Sequence, residues 1–143
     1  MPAIALSAEP APDPIYAVID LHRAACEAHR EAVRTEFAFE EAGMTGQKLR
    51  QYQILQFATS AAFDNMTDVG CDLVNTKPTT LAGIVALCRY VEPLLNEDGT
   101  PQMPEVITWD DDTESSVAGA LANVIAAAVR TMIDAQAGKA VQA

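Results

Sequence analysis

Aromatic residues make up only 6% of this 143-residue chain. A β-sandwich fills the space between its sheets with β-branched and aromatic side chains, so their scarcity argues against one. Basic residues are also few. Nine Lys and Arg stand against twenty Asp and Glu, giving a formal net charge of −11 and an isoelectric point near 4.4. Surfaces that grip a phosphate backbone or an anionic membrane cluster Lys and Arg, so neither nucleic acid nor membrane is an expected partner. The plain reading of the acidic excess is solubility, and the sharper one is attraction to a basic partner.

Cysteine is limited to Cys26, Cys71 and Cys88. An odd, widely spaced set without a C-x-x-C excludes a disulfide framework, and each lies among apolar residues as a small buried hydrophobe would. Long apolar runs are missing too: the best candidate, from Val117 to Ile133, is broken by Asn123 and Arg130. The opening M-P-A-I-A-L-S-A-E-P-A-P-D-P carries neither a basic region nor an extended apolar core, so it does not read as a secretory signal. A cytoplasmic protein is the expectation.

Signatures of chemistry are equally thin. There is no G-x-S-x-G, no Gly-rich phosphate loop and no H-E-x-x-H. A di-iron bundle needs Glu-x-x-His on two helices, but no Glu stands three residues before His22 or His29, and both histidines share one segment. The loop from Leu94 to Glu105 places Asn96, Asp98, Gly99 and Glu105 at spacings like those of a calcium loop. Leu94, however, takes the place of the first carboxylate, and Pro101 and Pro104 restrict the wrap. A catalytic role is not expected.

What the chain does have is apolar residues, half of the total and dominated by Ala, arranged with helical pitch. Asp13 and Pro14 suit the cap and first position of a helix that Gly43 can end. Its inner seam is Ile15, Val18, Ile19, His22, Cys26, His29, Val33 and Phe37. Thr45 opens a second helix with a heptad-like seam of Tyr52, Leu55, Thr59, Ala62, Met66, Val69 and Leu73. Ile54, Phe57 and Ala61 give that helix a second apolar flank. A third helix begins near Pro78 and Thr79, buries Leu81, Ile84, Val85, Cys88 and Val91, and ends at Pro93. Asp110, Asp111, Asp112 and Glu114 crowd the start of the last helix, where negative charge complements the helix dipole. That helix buries Val117, Leu121, Val124, Ile125, Ala128 and Met132. Trp109 reads as a ring pinning the preceding loop, or as an interface anchor. The expected architecture is all-α: an antiparallel bundle of about four helices, two long and two shorter, over residues 13–137. A loose arm (1–12) precedes it and a frayed tail (138–143) follows.

Three segments carry a resemblance. D-P-I-Y-A-V-I-D-L-H-R-A-A (Asp13 to Ala25), P-T-T-L-A-G-I-V-A-L-C-R-Y-V (Pro78 to Val91) and the W-D-D-D before the last helix resemble a group of small helical hypothetical proteins of alphaproteobacteria. The resemblance implies a helical fold and a bacterial cytoplasm, and carries over no functional residue.

One cluster has metal-ligand chemistry. His22, Cys26 and His29 follow H-x-x-x-C-x-x-H and fall within an arc of roughly 60° on one helical face. Imidazole and thiolate are good zinc ligands, and Cys71 or Cys88 offers a fourth. The alternative is that both histidines are neutral core residues with hydrogen-bond partners across the bundle. Arg23, Arg30 and Arg34 beside Glu27 and Glu31 read as a solvated ion-paired face, or as an anion clamp. The sequence thus points first to a non-catalytic interaction or assembly protein, a homo-oligomer or a partner of another protein. A metal- or small-ligand-binding bundle using the His/Cys/His face is the alternative.

Overall fold

The computed structural model describes residues 11–43, 46–94 and 117–141. They form α1 (Pro14–Glu41), α2 (Gly46–Asn75), α3 (Leu81–Val91) with a 3-10 turn at Glu92–Leu94, and α4 (Val117–Val141). No strand occurs among the described residues. The all-helical bundle expected from the apolar spacing is what the chain adopts. The acidic residues before α4, Trp109, Thr45 and the calcium-like loop beyond Leu94 lie outside the described residues.

Helix boundaries follow local chemistry. Asp13 caps α1, accepting the Ile15 N–H at 3.1 Å, with Pro14 in the first turn. Gly43 follows the end of α1 at φ +84°, a left-handed conformation that costs glycine little. Pro93, which has no N–H to donate, falls in the tightened turn that ends α3. At the other end of the chain α4 continues through Gly138 to Val141, beyond the point where the sequence suggests fraying.

Chain directions can be read from side-chain pairs. His29 meets Phe63 and Phe39 stacks on Tyr52, so α1 and α2 form an antiparallel hairpin. Asp13 meets Thr80 and His22 meets Tyr90, so α3 runs parallel to α1. Leu121 packs with Leu87 and Val91, while Thr131 accepts from Lys77 Nζ, so α4 runs back down. Each of α1 and α4 contacts both α2 and α3.

The core sits at one end of this arrangement. Ile15, Ile19, Leu73, Val74, Leu87, Val91 and Leu121 form one buried cluster, each worth roughly 1.5–3 kcal/mol of burial. Farther along the hairpin no described residue from 26 to 43 or from 46 to 65 is fully buried. The ring pairs there, His29 with Phe63 and Phe39 with Tyr52, join α1 to α2.

Two expected faces need correction. Phe37 is 62% exposed, while Glu36 and Phe39 are the half-buried residues at that level. The contact line follows His22, His29 and Glu36, a seven-residue step. A 3.6-residue helix drifts about 20° per heptad against such a line, which leaves Phe37 beside it. On α3 the buried residues are Gly83, Ile84, Leu87 and Val91, whereas Leu81, Val85 and Cys88 are exposed. The α2 seam is placed as its heptads predict, with Met66 and Leu73 buried and the other five half-buried.

Candidate functional site

The side of α3 that faces α1 is set by Asp13. While one carboxylate oxygen caps α1, the other accepts from the Thr79 N–H (2.9 Å), the Thr80 N–H (2.8 Å) and the Thr80 hydroxyl (2.8 Å). Thr80 in turn caps α3, its oxygen accepting from Gly83 N–H at 2.9 Å. One acidic side chain, only 5% exposed, thereby ties the starts of two helices 67 residues apart. Burial opposes its charge, but the donors from Thr80, Ile15 and Thr79 outweigh that cost and hold its pKa below the ordinary carboxylate value. The helices approach so closely that Gly83 has no room for a side chain. A Cβ there would lie 2.1 Å from Asp13 Oδ2 and 3.0 Å from Ile15 Cγ2.

With α1 and α3 fastened in parallel, their later turns bring polar groups together. His22 is fully buried, and its Nδ1 and the Tyr90 hydroxyl share a hydrogen bond of 2.9 Å. The two rings meet edge-on, with centroids 5.8 Å apart. Cys26 Sγ lies 3.7 Å from both ring nitrogens of His22. Burial pushes the Tyr90 phenol up to about 12, the nearby Cys26 adding to the shift and the Arg23 guanidinium partly offsetting it. Arg23 lies over the Tyr90 ring, 5.4 Å from its centre, and is ion-paired to Asp20 at 3.0 Å. Burial also raises the Cys26 thiol, against a smaller opposing pull from Arg30, so this sulfur is a weak nucleophile at neutral pH.

These contacts separate the three residues that the sequence groups as zinc ligands. His22 and Cys26 do come together, with Tyr90 as the histidine's partner. His29 turns instead to Phe63 of α2, ring centres 5.6 Å apart. Among the described residues no group of three or more His, Cys, Asp or Glu is placed to hold a metal ion. Cys71 is half-buried and Cys88 exposed, and all three cysteines are free thiols. Arg30 pairs with Glu27 and Arg34 with Glu31, the exposed ion-paired face that their spacing suggests.

Above the His22–Tyr90 pair, a trough opens between α1 and α3. One recess of about 350 Å³ is lined by Tyr16, Ile19, Asp20, Arg23, Arg89 and Tyr90. A second of about 500 Å³ adjoins it through Tyr16, Ala86 and Arg89 and is walled by Leu81 and Val85. The apolar spacing of the sequence places Leu81 and Val85 in the core, and the structure exposes both. The sequence did hold a signal for the rotated face: Thr80-x-x-Gly83 makes Thr80 the cap, and a glycine three residues later marks where another element comes close.

Replacing Tyr90 by Phe should remove one titration step. Spectrophotometric titration of the three tyrosines should show one phenol ionising near 12 in the parent and none there in Y90F. Loss of the hydrogen bond to His22 should cost about 1 kcal/mol. A phenol still ionising near 12 in Y90F, with the lost step at an ordinary pH of about 10, would mean that Tyr90 is not the shifted group.

The chain matches no protein-family profile, no characterised protein and no solved structure.

Proposed function

We propose that this protein is a non-catalytic helical assembly protein, and that the far section of its α1–α2 hairpin pairs with a second copy of the chain. The observation that carries this reading is Phe57, 77% exposed on a two-helix segment that also leaves Phe37, Leu49 and Ile54 in solvent. A two-helix hairpin cannot cover both flanks of its own apolar seam, and fully burying one such side chain contributes about 1.5–3 kcal/mol. Pairing two hairpins about a twofold axis covers the same surface on both chains. Ile54 and Phe57 belong to the second apolar flank of α2 read from the sequence, and both are exposed. No described helix is long and apolar enough to cross a membrane, so a bilayer-spanning role for these exposed residues gains no support.

Static light scattering should give a mass at a multiple of 15.3 kDa. Phe57→Asp should return it to the single-chain value with the helical circular dichroism signal unchanged. A parent protein that stays at the single-chain mass up to about 100 µM, a concentration that would populate even a weak dimer, would sink the reading. So would an F57D variant whose mass equals the parent's.

A further inference from the structure

The trough between α1 and α3 shares no lining residue with the exposed apolar side chains of the far hairpin, so it stands independently of the assembly reading. We propose that it receives an acidic amphipathic helix from a partner protein. Leu81, Val85 and Arg89 follow one another at four-residue spacing and make one ridge along α3. Tyr16 and Arg23, seven residues apart, edge the trough on α1. Leu81 is 69% and Val85 41% exposed, so this ridge presents apolar surface to solvent.

The shape suits a helix. From Leu81 to Arg89 the trough runs about 12 Å along two parallel axes, roughly two helical turns at 1.5 Å per residue. Ala86, half-buried and lining both recesses, is small enough to let a third backbone approach. The two recesses share Tyr16, Ala86 and Arg89 and so form one groove, as in helix-in-groove recognition, in which apolar residues at three- and four-residue spacing enter the groove.

The charge identifies the occupant. The chain carries nine cations and a net charge of −11, yet two of those cations line this one trough. Arg23 is held in place by Asp20 and by the Tyr90 ring. Arg89 has no ion-pair partner among the described residues. Asp20 is the one carboxylate among the lining residues of the two recesses. A helix with leucines on its apolar stripe and glutamates along the stripe's edges would bury Leu81 and Val85 and place a carboxylate against Arg89, where the planar guanidinium favours a bidentate pair.

The test turns on a sign. Fluorescence anisotropy would follow two labelled 18-residue helical peptides with the same leucine stripe, one edged by glutamates and the other by lysines. Non-specific attraction to a chain of charge −11 favours the lysine peptide; the trough favours the glutamate peptide. Saturable binding of the glutamate peptide is expected, at least tenfold tighter than the lysine peptide. R89E and L81D should each weaken it by tenfold or more with circular dichroism unchanged, and F57D should leave it unaltered. Failure of the glutamate peptide to bind, preference for the lysine peptide, or indifference to R89E would each overturn the proposal. If R89E instead dissolves a dimer of the parent protein, the occupant is a second copy and the partner proposal falls. Failure of the hairpin reading appears separately, as an F57D variant with an unchanged mass.

Discussion

Asp13→Ala should be among the most damaging single substitutions this protein can carry, lowering its stability by about 3–5 kcal/mol. The carboxylate accepts four hydrogen bonds, from Ile15, Thr79 and the amide and hydroxyl of Thr80. Hydrogen bonds to a charged group are worth about 1.5–3 kcal/mol each, and buried donors left without a partner cost about 1–3 kcal/mol. These figures do not add, because Thr79 and Thr80 are exposed residues whose freed donors can turn to water. Even the lower end is a large share of the roughly 5–15 kcal/mol that holds a domain of this size together. Asp13→Asn should lose less. Its amide oxygen can keep the three donors around Oδ2, but its NH2 then faces the Ile15 N–H and the cap of α1 is lost. Chemical denaturation of the three proteins at neutral pH would order them parent, Asn, Ala. Equal stabilities would mean that the two helix starts are held by packing alone.

The same residue gives a pH dependence of known sign. Its folded pKa lies below the ordinary value of 3.8. An acid whose folded pKa is depressed stabilises the fold fully above its unfolded pKa, and that contribution disappears as pH falls through the folded value. The stability difference between parent and D13N should therefore be constant from neutral pH down to about 5, then shrink as the pH drops below the ordinary carboxylate range. Taking the difference removes the other nineteen acidic groups, which both proteins share. A gap that widened on acidification would contradict the hydrogen-bond pattern around Asp13.

How much of this was legible in the sequence depends on whether a residue's role is set locally. Asp13 as a cap, Pro14 in the first turn, Gly43 after α1 and the α2 heptads are local patterns, and all are where the spacing puts them. The second role of Asp13 is invisible locally, because its other donors arrive from 66 and 67 residues away. For the same reason only part of the buried face of α3 is legible locally. Ile84 and Val91 lie inward as their spacing predicts, but the close approach at Gly83 turns Leu87 inward and leaves Leu81, Val85 and Cys88 exposed. His22, Cys26 and His29 show the converse. Their shared arc on α1 is real, yet His22 meets α3 and His29 meets α2, because α1 is gripped by a different neighbour on each side. An arc of roughly 60° is wide enough to span both contacts.

Gly83→Ala should also destabilise strongly, by about 2–4 kcal/mol, although intrinsic helix propensity alone favours Ala over Gly by about 0.8–1 kcal/mol. The new methyl would sit 2.1 Å from Asp13 Oδ2, 2.6 Å from its Cγ and 3.0 Å from Ile15 Cγ2. No carbon–oxygen contact is tolerated at such distances, so the carboxylate must withdraw. Withdrawal breaks the 2.8–2.9 Å bonds to Thr79 and Thr80, and the lost bonds exceed the propensity gain. The alternative, a shift of α3 as a whole, would drag Leu87 and Val91 out of register with the core, which costs no less. The two explanations separate in a double-mutant cycle. If the clash acts through the carboxylate, G83A in a D13A background should cost under about 1 kcal/mol, the residue being the contact with Ile15, and the coupling energy should be about 2 kcal/mol. Additive losses would place the damage in the displacement of α3 and would remove Asp13 from the account of why position 83 needs a glycine.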